Sequence, residues 1–276
     1  MYKILHRSAL ALGLLIGIWG CGSGDDELTI TGPDLPSGPG KAYPLEQVSF
    51  PSIDGVQVSA LFGQTRGEDK ALPVVILVHD LTLNNQEWFL SPFFAELLER
   101  GYLPLAIDLR GHGNTPLPDN RPAPQLEDLE NTYLDVQAGL TWLRHQPAAD
   151  ISRIAVIGAG VGGNIAYVSI GAFPQQIKTA VALSPGFWDA NFQPLVVGAR
   201  LNPFAPHSML FMVGSEDAIP VDGGQVNLEL FSRALLERTG EPRSLVVLQG
   251  ANAHGVSLLG NSAAEESLFS WLQTHL

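Results

Sequence analysis

The apolar positions of the chain first fall into order at residues 45–52 and 56–63, two short stretches joined by Ile53-Asp54-Gly55. They predict a β-hairpin closed by an Asp-Gly turn, where glycine supplies the positive φ that such turns need. Residues 73–79, PVVILVH, form a continuous apolar run rich in β-branched side chains, as expected of a strand covered on both faces of a parallel sheet. Residues 86–100 carry Trp88, Phe89, Phe93, Leu97 and Leu98 at helical spacing and stop at Gly101, which predicts one helix. A second buried strand follows at 102–108, then a Gly- and Pro-rich loop at 109–125. A long amphipathic helix is predicted over 126–145, with Leu129, Tyr133, Val136, Leu140 and Leu143 on one face. Beyond it, predicted strands at 154–157, 179–183, 209–213 and 244–248 alternate with predicted helices at 161–170, 226–238 and 262–275. An opening hairpin followed by alternating strands and helices predicts an α/β fold: one mostly parallel twisted sheet with helices on both faces. Active residues in such sheets sit at the carboxyl ends of the strands. The candidates there are His79, Asp80, Leu81, Gly160, Ser184, Asp217 and His254.

The first residues follow a different pattern. Lys3, His6 and Arg7 form a basic start, and residues 8–19 are an apolar stretch of the length of a signal-peptide core. It ends in Ile18-Trp19-Gly20-Cys21, which resembles a bacterial lipobox, with Trp19 a departure from the small residue usual there. The expected layout is a signal peptide over 1–20, a lipidated flexible tether over 21–41 and a single domain over 42–276. The tether expectation rests on the Gly, Pro, Ser and Asp content of 22–41, which offers nothing to bury. Lipidation of Cys21 implies a bacterial envelope location and a membrane partner reached through acyl chains; simple secretion is the alternative.

Composition narrows the function classes. The formal net charge of −13 argues against nucleic acid as a partner and against attraction to anionic lipid. Cys21 is the single cysteine, so an intramolecular disulfide, a cysteine-cluster metal site and a cysteine nucleophile are excluded. The seven histidines show no metal-ligand spacing, and no cofactor is implied.

The stretch RIAVIGAGVGG at 153–163 admits two readings. Gly158-x-Gly160-x-x-Gly163 after an apolar run spells the dinucleotide fingerprint. Gly158-x-Gly160-x-Gly162 spells a nucleophile elbow, G-x-S-x-G, with glycine in place of serine. The first reading needs an acidic residue at the end of the next strand, and that strand ends at Ser184. The second needs an acid and then a histidine further along, and GSEDAIP at 214–220 and AHG at 253–255 supply them in that order.

With VILVHDL at 75–81 for the first buried strand and the loop after it, DLRGHGNT at 108–115 and LSPG at 183–186, the chain resembles an α/β-hydrolase of the dienelactone hydrolase and prolyl-oligopeptidase-like branch, from about residue 45 to the end. The resemblance implies Asp217 as the acid, His254 as the base, and the backbone N–H groups of Leu81 and Val161 as an oxyanion hole. Gly160 then stands vacant where the nucleophile belongs, and the acyl-serine route has no attacking atom. Asp80 departs as well, standing where the family has glycine. It is expected to be a solvated turn residue or a helix cap; turned inward, its charge would oppose an oxyanion. The short stretch 185–208 leaves room for a minimal cap, with Phe187, Trp188, Phe192 and Phe204 as its aromatics.

The expected function is therefore an envelope lipoprotein that has left serine-hydrolase chemistry, a pseudoenzyme or a protein that holds a small-molecule or envelope ligand. One alternative is a hydrolase of small esters or lactones that uses the Asp217–His254 pair with water or with Ser184. Another is a nucleotide-binding protein. If the rest of the site is intact, Gly160→Ser is expected to restore labelling by a fluorophosphonate.

Overall fold

The computed structural model describes residues 43–65, 70–118, 121, 123–186, 205–221 and 224–276. The leader, Cys21, the tether and the aromatics Phe187, Trp188, Phe192 and Phe204 lie outside the described residues. The opening hairpin is β1 (Leu45–Pro51) and β2 (Gln57–Gly63), paired antiparallel from Leu45–Gly63 to Pro51–Gln57. Its turn closes through Ser52 N–H on Val56 O at 2.7 Å and Gly55 N–H on Ser52 O at 2.9 Å, with Gly55 at φ 88°. Six further strands complete the main sheet: β3 (Leu72–Val78), β4 (Leu103–Ile107), β5 (Ala149–Ala159), β6 (Thr179–Leu183), β7 (His207–Gly214) and, after a small antiparallel pair β8 (Ala218–Val221) and β9 (Gly224–Asn227), β10 (Gly240–Leu248). The order across the sheet is β1-β2-β4-β3-β5-β6-β7-β10. β2 meets β4 antiparallel, and every pair from there on is parallel.

The uninterrupted apolar runs become strands because both faces are covered. Val74, Ile76 and Val78 enter one core with α4 (Tyr133–Leu143), α5 (Val161–Ala172) and α6 (Leu228–Glu237). Val75 and Leu77 enter the other, with α2 (Pro92–Glu99) and α7 (Ser262–His275). An all-apolar strand between two helical layers loses water on both sides, which alternating polarity could not tolerate. Among the described residues no helix is long and apolar enough to cross a membrane.

Two predicted helices are each broken in two. The first, at 86–100, is α1 (Gln86–Phe89) and α2, separated at Ser91. Pro92 pushes the residue before it out of helical geometry; Ser91 sits at φ −80°, ψ 138°, and its side chain accepts from Phe93 N–H. The second, at 126–145, is α3 (Leu126–Glu130) and α4. Between them Thr132 Oγ1 donates to Leu129 O at 2.6 Å and Thr132 N–H bonds the same carbonyl, tightening the turn. The predicted helix at 226–238 begins later, at Leu228, because 224–227 pairs with the strand after Asp217. The short 3₁₀ helix Gly255–Gly260 has no counterpart among the expected elements.

The break before α4 aims Asp135 at Arg110, both nearly or fully buried. The Arg110 guanidinium reaches Asp135 at 2.7 Å and Asp54 at 2.6 Å, and its backbone N–H donates to Asp135 at 2.9 Å. This pair ties the hairpin turn, the loop after β4 and α4 into one frame. Removing one partner leaves a buried charge unpaired. Asp135→Ala is expected to cost ~3–5 kcal/mol in denaturant unfolding, and Asp54→Ala clearly less, because that carboxylate keeps 32% of its side chain in solvent.

Candidate active site

The loops that follow β3, β5, β7 and β10 meet at the carboxyl edge of the sheet. At the end of β5 the chain reverses through Gly160, at φ 52°, ψ −116°, and enters α5 at Val161. This is a conformation that side chains rarely adopt. The Gly160 N–H is held by Leu183 O at 2.8 Å and its carbonyl accepts from Gly163 N–H at 3.0 Å. A Cβ on Gly162 would fall on the Val78 carbonyl, and one on Gly158 on the backbone of Gly162. The glycines on either side are thus required by the close approach of strand and helix.

Across the edge, the turn after β7 presents Asp217, almost wholly buried. The loop after β10 presents His254, whose Nδ1 lies 3.0 Å and 3.2 Å from the two Asp217 carboxylate oxygens. The histidine loop is braced twice. His254 N–H donates to Ser257 Oγ at 2.9 Å, and Gly255 N–H donates to Ser184 Oγ at 2.9 Å. Ser184, the alternative nucleophile, is completely buried, and its hydroxyl supports the loop that carries the imidazole.

The largest correction concerns Asp80. It is neither a solvated turn residue nor a cap on the helix that follows it, α1. Its Oδ1 accepts from Leu81 N–H at 2.7 Å and from Val161 N–H at 2.8 Å, and its Oδ2 lies 3.1 Å from His254 Nε2. The two N–H groups predicted to form the oxyanion hole do converge on one oxygen, and that oxygen belongs to the protein. A Cβ added to Gly160 would fall on this carboxylate, so the carboxyl group occupies the space that a serine side chain would need. The two departures, Gly160 and Asp80, are sterically one.

Sequence reasoning missed Glu87. From α1 it accepts Asp80 N–H on Oε2 at 2.8 Å. No pattern distinguishes it in the sequence from any polar residue in a first helical turn. His79 is fully buried and neutral: Nδ1 lies 2.7 Å from Asp80 O and Nε2 accepts Leu109 N–H at 3.0 Å, and burial holds its pKa down at about 4. His112 likewise bonds backbone, at Arg110 O.

The electrostatics follow from this geometry. Hydrogen bonds from Asp217 and then Asp80 raise the His254 pKa to about 10, against the opposing effect of burial. Burial pushes the Asp80 carboxyl up, but its bonds with His254, Val161 N–H and Leu81 N–H prevail and its pKa is lowered. Burial, helped by the charge of Asp80, raises Glu87 to about 7. At neutral pH the site therefore holds an imidazolium between two carboxylates. Such an imidazole has no free lone pair with which to accept a proton. The Asp80 carboxylate at the start of α5 also stands where the dinucleotide reading would put a pyrophosphate, and like charges repel there. Among the described residues no group of three or more His, Cys, Asp or Glu could hold a metal ion.

A model of the alpha/beta hydrolase family matches residues 75–265, a span that takes in all four loops. A non-reducing polyketide synthase of Stereocaulon alpinum is 26% identical over 82% of this chain, which covers 9% of that much longer protein. Among solved structures, an esterase of Pyrococcus furiosus superposes with a TM-score of 0.63 at 21% identity, covering 84% of this chain and 93% of its own. A dienelactone hydrolase of Anabaena variabilis gives 0.59 at 18%, covering 85% and 99%. At these identities the structural likeness speaks for the fold.

Proposed function

Because the chain belongs to the alpha/beta hydrolase family, we propose that it is an envelope lipoprotein, anchored through acyl chains on Cys21, whose hydrolase site has left serine acyl transfer. Toward carboxylic esters it is a pseudoenzyme. One observation carries this reading: the Asp80 carboxylate fills both the space beside Gly160 and the pair of N–H donors. Acyl transfer needs an attacking oxygen, a base to take its proton and an empty place for the oxyanion. Here the first is missing, the second carries a proton already, and the third is taken by a negative charge.

The test uses full-length protein in detergent. A fluorophosphonate is expected to leave it unlabelled, and p-nitrophenyl acetate hydrolysis is expected to be unchanged by Asp217→Asn. Labelling of any serine would overturn the reading.

The 3.0 Å contact between His254 and Asp217 favours one second reading, a hydrolase of small esters in which that pair activates water directly. It requires neutral imidazole, so its rate would climb with pH toward about 10 and would collapse in Asp217→Asn.

The anchor has its own test. Cys21→Ser is expected to move the protein from the membrane pellet to the soluble or secreted fraction, and an unchanged pellet would remove Cys21 from the account.

A further inference from the structure

We propose that the outer edge of β10 is an interface with a second copy of this chain, the two strands paired antiparallel about a two-fold axis at Val246.

The sheet has two ends, β1 and β10, and they are treated differently. In β1 the exposed residues are Glu46, Gln47, Ser49 and Pro51. Charge, polarity and proline are the usual means of keeping an edge from pairing with another chain. The first half of β10 uses them too: Glu241, Pro242 and Arg243 are exposed, and the register with β7 shifts between Gly240 and Arg243. The protection stops there. Residues 245–248, Leu-Val-Val-Leu, carry no charge and no proline, and each is half-buried.

The peptide groups of this stretch can be assigned a side. Leu248 O accepts Ser215 N–H at 3.0 Å, so Leu248 turns toward β7. Successive residues of a strand in a parallel pair turn their peptide groups alternately to one side and the other. Leu245 and Val247 therefore present N–H and C=O outward, where among the described residues no strand lies. Arg243 N–H, of the same parity, is occupied by Glu241 Oε2 at 3.1 Å. The outward groups at 245 and 247 are thus those left for pairing.

There is room on both faces for the side chains of an added strand. On the α7 side a hollow of about 530 Å³ is walled by Val246, Trp271 and Leu210. On the α6 side one of about 380 Å³ is walled by Leu245, Val247 and Leu236. Neither helical layer closes over the edge that it flanks.

A second copy suits this edge. Turned about Val246, Leu245 of one chain meets Val247 of the other and exchanges both hydrogen bonds, and the symmetric pair does the same. Val246 faces its own counterpart, and the two fill the α7-side hollow from opposite chains. Electrostatics agree. A chain of net charge −13 resists its own association at long range, but the α6-side hollow is balanced, with Arg233 and Arg243 beside Glu237 and Glu241. An identical hollow turned against it meets no surplus of one sign. On the α7 side Glu266 is already paired with Arg100 at 2.6 Å.

The experiment uses full-length wild-type protein in detergent whose contribution is matched out in sedimentation equilibrium. We expect the mass of two chains, with slow hydrogen exchange at the amides of Leu245 and Val247. Val247→Pro removes an outward N–H and leaves the ladder to β7 intact; Val246→Lys sets two cations against each other on the axis. Both are expected to sediment as single chains. In a Cys21→Ser background, Val246→Cys is expected to form a disulfide between chains on mild oxidation, since opposed residues of such a pair lie ~4.5 Å apart at Cα, and Ser244→Cys is expected to form none. Wild-type protein that sediments as a single chain overturns the proposal. If its 245 and 247 amides nevertheless exchange slowly, another segment of the same chain covers the edge. A two-chain mass that survives both substitutions, or a disulfide at 244 and none at 246, overturns it as well. The wild-type mass and exchange stand even if a variant misfolds.

Discussion

Gly160→Ser will not make a serine hydrolase. Introduced alone it is expected to destabilise the fold by ~2–6 kcal/mol and to remain unlabelled by a fluorophosphonate; introduced with Asp80→Gly it is expected to be labelled. Two costs fall on the single variant. The backbone at 160 sits at φ 52°, ψ −116°, where a non-glycine residue pays about 1–3 kcal/mol. The new Cβ also meets the Asp80 carboxylate, and overpacking a filled site costs about 1–3 kcal/mol. The carboxylate cannot retreat cheaply, since it accepts from Leu81 N–H and Val161 N–H and bonds His254. Asp80→Gly empties that space and frees the donors and the imidazole together. Only then do attacking oxygen, base and oxyanion site exist at once. The expectation drawn from the sequence was conditional on an otherwise intact site, and the Asp80 carboxylate beside Gly160 is the departure from that condition. A thermodynamic cycle over the four proteins gives the coupling, expected to be ~1–3 kcal/mol for groups in direct contact. A stable, readily labelled single variant would mean that Asp80 does not occupy the site in solution.

The second large effect is on protonation. His254 is expected to remain an imidazolium at pH 8, with its NMR titration midpoint near 10, where its carboxylate partners put it. Asp217→Asn and Asp80→Asn should each bring the midpoint down toward the ordinary imidazole range, because each removes an anion from one ring nitrogen. The sign for stability is fixed by linkage. A raised folded-state pKa contributes stability that is complete below the unfolded value of about 6.5 and is lost as pH rises toward about 10. Solvent reaches 38% of the side chain, so screening reduces the full linkage figure to ~1–2 kcal/mol. Glu87 acts in the same direction at lower pH: raised from 4.5 to about 7, it withdraws stability across that interval. Above pH 7, where neither His79, lowered to about 4, nor Glu87, raised to about 7, changes the balance further, denaturation midpoints should therefore fall as the pH rises toward 10, and Asp80→Asn should flatten that decline. An imidazole that titrates near 6.5 in the wild-type protein would contradict the carboxylate–imidazolium–carboxylate arrangement.

The sheet was legible in the sequence because its cause is local. A run such as PVVILVH at 73–79 can be satisfied only between two apolar layers, and α7 (Ser262–His275) has the bounds that its pattern predicts. The spacing of Gly158, Gly160 and Gly162, followed by Asp217 and then His254, was enough to propose which loops meet. Helix interruptions were less legible, although Ser91-Pro92 carried a signal that the periodicity of its neighbours obscured.

What the sequence could not decide was the direction of one side chain. Nothing around Asp80 indicates whether it faces water or the sheet edge, since its local partners, Leu81 N–H and Glu87, suit either. The choice is made by groups distant in the chain: space at Gly160 for want of a Cβ, an N–H at Val161 and a cation at His254. A buried carboxylate goes where donors and positive charge compensate its lost hydration, and only the folded chain brings those three to one point.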